Sequence, residues 1–134
     1  MPEFFPDHVP TDVDEFTAGY LGAAEWLLPE PQPDDQCKQT PRDKIRGWTR
    51  KSIAKAKRDC ASFQAEHAAD LAEFCEATGR GMDLAGYCFW LNRNGHGAGF
   101  WDRDAGACGD ILSVASRRCG ECGVDAYRGW IHLS

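Results

Sequence analysis

The chain has 134 residues, 43% of them hydrophobic, and a formal net charge of −6 at pH 7. This length suits a single domain with its own hydrophobic core. No apolar run approaches the roughly 20 residues of a membrane helix, and the N-terminus lacks the basic, apolar and cleavage regions of a signal peptide. We therefore expect a cytoplasmic protein without a membrane partner.

The charge is strongly segregated along the chain. Residues 1–37 contain nine acids and no Lys or Arg, residues 38–58 contain nine Lys or Arg and one acid, and residues 59–134 contain eleven acids and six arginines. We expect the basic segment to form a solvated helix face that pairs with the acidic N-terminal arm. The overall acidity does not favour nucleic acid as a partner. The residues expected to form a secondary basic patch are Lys44, Lys51, Lys55 and Arg58.

Prolines and apolar spacing predict the elements of the N-terminal half. Three prolines within residues 1–12 predict an irregular arm, ahead of a single domain over 13–134. Apolar residues at helical spacing predict a helix over 13–28, which the prolines at 29, 31 and 33 end. A linker to about residue 39 follows.

The second predicted helix is too long for a compact domain. Its pattern begins with the cap Thr40-Pro41 and continues to Gly79, and 38 helical residues would span about 57 Å. The expected radius of gyration is only about 14 Å. We therefore expect the helix to overhang, which would favour a dimer, or to break between Gly47 and Thr49.

The C-terminal half predicts two hairpins separated by a helix. The aromatic run Tyr87–Leu91 is typical of a strand, with residues 98–101 as its antiparallel partner. Residues 107–119 are amphipathic and predict a helix, and strands over 124–127 and 130–133 turn at Arg128-Gly129. The predicted fold class is α+β, with N-terminal helices packed on a small antiparallel sheet in the order α-α-β-β-α-β-β.

The stretch from Tyr87 to Arg103, YCFWLNRNGHGAGFWDR, resembles the signature of a family of small uncharacterised bacteriophage proteins. The resemblance extends more loosely to residues 16–26, 59–63 and 124–127. The chain departs from the family in its shorter final turn, its cysteines and its basic segment. The resemblance implies a phage or prophage origin and expression in the cytoplasm of the bacterial host. It implies no particular activity.

The glycine-rich part of this stretch has two interpretations. Gly95, Gly97 and Gly99 could form an anion cradle of backbone N–H groups, or they could satisfy the backbone of a tight hairpin, which we favour. A turn does not require the side chains around these glycines, so we expect those to contact a partner. The predicted binding residues are Trp90, Arg93, Asn94, His96, Trp101, Asp102 and Arg103.

Catalytic and metal sites are weaker alternatives. His96 with Asp102 could form an oriented general base, but no Ser or Cys has a spacing that indicates a nucleophile. Cys119 and Cys122 form a C-x-x-C pair that could bind zinc with His132 or Cys108, although two incidental thiols after a helix are favoured. The seven cysteines are an odd number, so most are expected to be reduced. We expect no enzyme, no bound metal and no cofactor.

Three classes of function follow from these observations. The first is a phage accessory protein that binds and inhibits a host protein, such as a defence component of the CRISPR or restriction type, without catalysis. The second is a sponge-like protein that binds a nucleotide or small anion through the loop from Arg93 to Arg103. The third is an enzyme or metal protein that uses His96 or the cysteines.

Overall fold

The computed structural model describes residues 8–28, 39–95, 99–103 and 105–134, without the side chain of Asp102. Most of the predicted N-terminal arm, the proline-rich linker, His96 and part of the predicted strand over 98–101 lie outside these residues. The described helices are α1 (Glu15–Trp26), α2 (Arg50–Glu66), α3 (Ala68–Thr78), α4 (Met82–Arg93) and α5 (Ala107–Arg118). The strands are β1 (Gly47–Trp48), β2 (Val124–Tyr127) and β3 (Trp130–Leu133), and 3-10 turns cover Arg42–Lys44 and Phe100–Arg103. The predicted α+β class is confirmed.

The sheet is mixed and has the strand order β1-β3-β2. β2 and β3 form the predicted final hairpin, in which Ala126 pairs with Ile131 and both side chains are buried. β1 adds to β3 in parallel, with Trp48 opposite Ile131. The prediction of an antiparallel sheet made of two hairpins is therefore corrected to three strands from two distant parts of the chain.

The first predicted hairpin is wrong, because Tyr87–Leu91 lies within α4. Four of these five side chains are buried, and so are Leu84, Ala85 and the backbone of Gly86. A helix that is covered on nearly all sides has no polar face, so its sequence shows a short apolar run instead of a helical period. Such a run cannot be distinguished from a buried strand by pattern alone.

The predicted long helix breaks where the sequence indicated. Gly47 and Trp48 form β1, and the Thr49 side chain then caps α2 by accepting a hydrogen bond from the Ser52 amide at 3.1 Å. A second interruption at His67 separates α2 from α3. The expected overhang is therefore absent from residues 39–95, and with it the reason to expect a dimer.

Two glycines allow α1 and α4 to pack backbone to backbone. A methyl group at Gly19 would overlap the carbonyl group of Asp83, and one at Gly86 would overlap the carbonyl oxygen of Phe16. Side chains of any size at these positions would force the helices apart. The two glycines therefore determine the separation of the helices that form the centre of the fold.

An aromatic cluster fills the space around this helix pair. Phe63 stacks on Phe89 with ring centroids 4.1 Å apart, and Tyr20 meets the edge of Trp90 at 5.3 Å. Offset and edge-to-face geometries of this kind add to the free energy gained from burial. Further members of the cluster are Phe16, Phe74 and Phe100. Among the described helices, none is long and apolar enough to cross a membrane.

We predict that Gly86→Ala lowers the free energy of unfolding by about 3 kcal/mol or more, because the added methyl group must push α1 away from α4. Chemical denaturation monitored by circular dichroism measures the loss. Gly123→Ala is the matched control, since its methyl group would meet only the terminal Ser134 hydroxyl. Equal stability of the two variants would contradict the close helix contact.

Candidate functional site

The residues at the C-terminal end of α4, Asn92-Arg93-Asn94, connect this helix to three other segments. Asn92 is buried, and its Oδ1 accepts hydrogen bonds from the Phe100 amide at 2.8 Å and from the Ser113 hydroxyl at 3.2 Å. A methyl group at Gly99 would collide with the Asn92 side-chain amide. Asn92 therefore fixes where the chain returns after the glycine-rich loop, a role that sequence reasoning did not assign to it.

Arg93 is buried and hydrogen-bonded on all sides of its guanidinium group. Nε donates to the Gly120 carbonyl at 2.8 Å and Nη2 donates to the Cys119 carbonyl at 3.1 Å. Nη1 donates to the Tyr20 hydroxyl at 2.9 Å and to Asp59 Oδ2 at 3.1 Å. The first two acceptors follow the C-terminus of α5, where a cation is favoured by the helix dipole.

Asn94 makes the third connection. Its Nδ2 donates to the Trp90 carbonyl at 3.0 Å, and its Oδ1 accepts from the Cys122 amide at 2.8 Å. Trp90 itself is buried against Tyr20, and its Nε1 has no hydrogen-bond partner among the described residues.

The expected placement of Trp90 in a strand, and of Arg93 and Asn94 in the loop after it, is thereby corrected, and binding of a partner by these residues stays a prediction. These residues lie in the last turns of α4 or just after it, and the side-chain polar groups of Arg93 and Asn94 bond within the protein. Arg93, the first arginine of the proposed anion cradle, is likewise bonded within the protein. The physical cause is the buried helix that replaces the predicted hairpin.

Of the remaining predicted binding residues, Trp101, Asp102 and Arg103 follow the glycine-rich stretch, and His96 lies within it. Trp101 is 48% exposed, which is unusual for so large an apolar side chain. Arg103 is half-buried, and its Nε has no hydrogen-bond partner among the described residues. His96 and the side chain of Asp102 lie outside the described structure, so the general base that these two residues could form stays a prediction.

A cavity of about 200 Å³ opens beside Arg93, between α2, α4 and the end of α5. Its lining includes Asp59, Glu66, Phe63 and Cys119. Burial opposes the ionisation of Asp59, but hydrogen bonds from Lys55 and Arg93 lower its pKa below the usual value. Burial raises the pKa of the Cys119 thiol, with the Arg93 charge opposing, so the thiol is a poor nucleophile at neutral pH. Asp59 and Arg93, two of the charged groups that line this cavity, thus bind each other.

The cysteine pair does not come together with the suggested zinc ligands. Cys119 is exposed, whereas Cys122 is buried with its thiol near the carbonyl groups of Gly123 and Ser134. Within residues 8–28, 39–95, 99–103 and 105–134, no three His, Cys, Asp or Glu side chains are grouped as metal ligands. The six cysteines in this part of the chain are free thiols.

The basic segment is partly used inside the fold. Lys55 pairs with Asp59 at 3.0 Å, and Lys57 lies 3.7 Å from Asp12 of the N-terminal region. Arg42 donates to carbonyl groups at the C-terminal end of α1, those of Glu25, Trp26 and Leu28. The other residues of the predicted patch, Lys44, Lys51 and Arg58, are exposed.

Among the described helices, α5 is the one with large aliphatic side chains exposed on its outer surface. Ile111 and Val114 are 49% and 46% exposed and lie three residues apart, on one side of the helix. The 3-10 turn that carries Trp101 packs against the same helix. We refer to Trp101, Ile111 and Val114 as the α5 face. Its sequence signal is an apolar arc, Ile111, Leu112, Val114 and Ala115, that is wider than one buried stripe needs.

Comparison of the chain with protein-family models, with curated proteins and with solved structures finds no match.

We predict that Arg93→Lys lowers the free energy of unfolding by about 2 kcal/mol or more, because an ammonium group cannot reach the four acceptors that the guanidinium group joins. Urea unfolding measures the change. Arg117→Lys, at an exposed position of α5, should leave stability within the error of the measurement. An unchanged free energy of unfolding in Arg93→Lys would show that the hydrogen-bond network contributes little to stability.

We also predict a pH dependence that originates at Asp59. Its pKa is lowered in the folded protein, so its stabilising contribution is present above the ordinary value of 3.8 and is lost as the pH falls through the folded value. The stability difference between the wild type and Asp59→Asn should therefore shrink as the pH falls from about 3.8 through the lower pKa of the folded protein. Glu121→Gln, at an exposed position outside the helices, is the control and should not reproduce this effect. A difference that stays constant would contradict the ion pairs.

Proposed function

We propose that this protein is a phage-encoded accessory protein that acts in the host cytoplasm by binding and inhibiting a host protein without catalysis. The observation that carries the proposal is the α5 face, on which Trp101, Ile111 and Val114 are each about half exposed. Apolar side chains grouped on one helix and an adjoining turn are the usual centre of a protein interface.

The surroundings of the α5 face support a protein partner over a small ligand. Asp110, Arg117 and Arg118 are exposed on the same helix and would supply a polar rim around the apolar centre. A convex helix surface presents a broad contact area to another protein. A small molecule would gain little there, because it binds where a concave site covers most of its surface.

The polar residues first expected to bind an anion support the same choice. Arg93 and Asn94 are occupied by contacts within the fold, so an anion bound to this region would have to replace them. That replacement would leave the carbonyl groups of Cys119 and Gly120 without their arginine donor and would remove one of the two cations that pair with Asp59. The nucleotide-sponge alternative now depends on Arg103 and His96.

The phage origin rests on the resemblance of the stretch from Tyr87 to Arg103 to small bacteriophage proteins, and the inhibitory role is inferred from that origin together with the small size and acidic charge of the chain. A non-catalytic protein can inhibit another protein by occupying its surface, and defence components of the CRISPR or restriction type are the class we propose as targets. The α5 face would be the occupying surface.

A tagged wild-type chain used as bait in a host lysate should recover one host protein, and Ile111→Glu with Val114→Glu should abolish the recovery, because two carboxylates would be buried in the interface. Ala61→Glu, at an exposed position of α2, is the matched control and should retain the partner. The purified partner should lose activity when wild type is added and keep it with the double variant. Recovery that is unaffected by the double variant would contradict the proposal.

A further inference from the structure

The solvent-facing side of the sheet carries an aromatic pair that the fold does not use. Ala126 and Ile131 face the core, so the alternation of strands places Tyr127 and Trp130 on the opposite side. These two residues are direct cross-strand partners and are 42% and 40% exposed. We refer to Tyr127 and Trp130, with their outward-facing neighbours Asp125 and His132, as the aromatic sheet face.

The neighbouring strand leaves Trp130 uncovered. Gly47 of β1 lies opposite Trp130 in the register, and a methyl group there would contact the indole Cζ3 at 3.6 Å. Because Gly47 has no side chain, β1 adds no side-chain cover to the indole ring at that position. Flat aromatic surfaces of this kind are suited to stacking with another planar group.

Two arginines lie at the same end of the sheet. The Arg128 guanidinium group lies 5.2 Å from the centroid of the Tyr127 ring, and the side chain of Arg46 passes Gly129 at 3.5 Å from where a Cβ would be. The Arg46 amide also donates to the Gly129 carbonyl at 2.6 Å, which holds this segment beside the hairpin turn. Among the described residues, neither guanidinium group lies within 4.0 Å of a carboxylate.

Further cations follow where β1 ends and α2 begins. Arg50 and Lys51 occupy the first turn of α2, are exposed, and have no acidic residue in that turn to balance them. Cations at a helix N-terminus oppose the helix dipole and are unfavourable there. The start of α2 lies beside the end of β3 that is farther from the hairpin turn, where the Leu133 amide donates to the Ser52 hydroxyl at 2.8 Å, so cations flank the sheet at both ends.

We propose that the aromatic sheet face binds single-stranded nucleic acid. Unpaired bases would stack on Trp130 and Tyr127, and the phosphates would pair with Arg46, Arg128 and the two cations of α2. A shallow cavity of about 340 Å³ adjoins the aromatic pair and is lined by Gln39, Asp125, Tyr127 and His132, whose polar groups could hydrogen-bond a base edge. Charge complementarity favours this occupant over an apolar peptide.

The tertiary structure is what reverses the expectation drawn from overall acidity. The net charge of −6 belongs to the whole chain, but the basic segment is brought to the sheet edge through β1, beside two exposed aromatic rings. Duplexes hold their bases in a stack that these rings cannot enter, so single strands are the expected ligand. This surface shares no residue with the α5 face and is independent of the proposed host-protein partner.

Fluorescence anisotropy with labelled single strands of about 12 nucleotides, dT and U homopolymers at low salt, tests the proposal. We expect binding that weakens steeply between about 50 and 200 mM salt, and weaker binding to a duplex of the same length. Trp130→Ala should weaken single-strand binding by about tenfold or more. Trp101→Ala removes an equally exposed tryptophan elsewhere and should have no effect.

Arg50→Ala with Lys51→Ala provides a second test that does not depend on the sheet's stability. It should weaken single-strand binding and reduce its salt dependence, while leaving the free energy of unfolding unchanged or raised. Absence of oligonucleotide binding by the folded wild type would overturn the proposal, as would binding that both sets of substitutions leave intact. If the wild type binds no oligonucleotide, and Trp130→Ala fails to recover the host protein in the bait experiment, the aromatic sheet face is a protein interface instead.

Discussion

The close contact between α1 and α4 is the constraint on which the rest of this structure depends. Gly19 and Gly86 bring the two helix backbones together, and this separation allows Phe16 and Tyr20 to reach the rings of α4. Because a close-packed interior has no free space to absorb a shift, a change in that separation would alter the other contacts that α4 makes. The end of α4 is positioned by the same packing.

The polar residues that end α4 convert this helix pair into a complete fold. Arg93 joins α1 through Tyr20, α2 through Asp59 and the end of α5 through two carbonyl groups. Burial raises the pKa of Tyr20, so its hydroxyl accepts the hydrogen bond as a neutral phenol. A buried guanidinium group is tolerated only when its donors are satisfied, and here the partners come from three elements far apart in sequence.

The surfaces left over by this packing are where interaction is proposed. The α5 face is apolar with a charged rim, whereas the aromatic sheet face presents two exposed rings with Arg46 and Arg128 nearby. The two differ in chemistry because they arise from different elements: one is the solvent side of an amphipathic helix, and the other is the open side of a three-stranded sheet. A partner for one need not compete with a partner for the other.

The sequence by itself determined the elements whose signals are local: the α1 periodicity, the break before Thr49, the amphipathic α5 and the final hairpin at Arg128-Gly129. It could not identify α4, because a helix buried on nearly all sides loses its polar period, nor the glycine contacts that bury it. Only the tertiary structure decided that Arg93 is internal and that Arg46 lies beside the aromatic pair. These contacts are between residues that are distant in sequence, and only the packing of the folded chain brings such residues together.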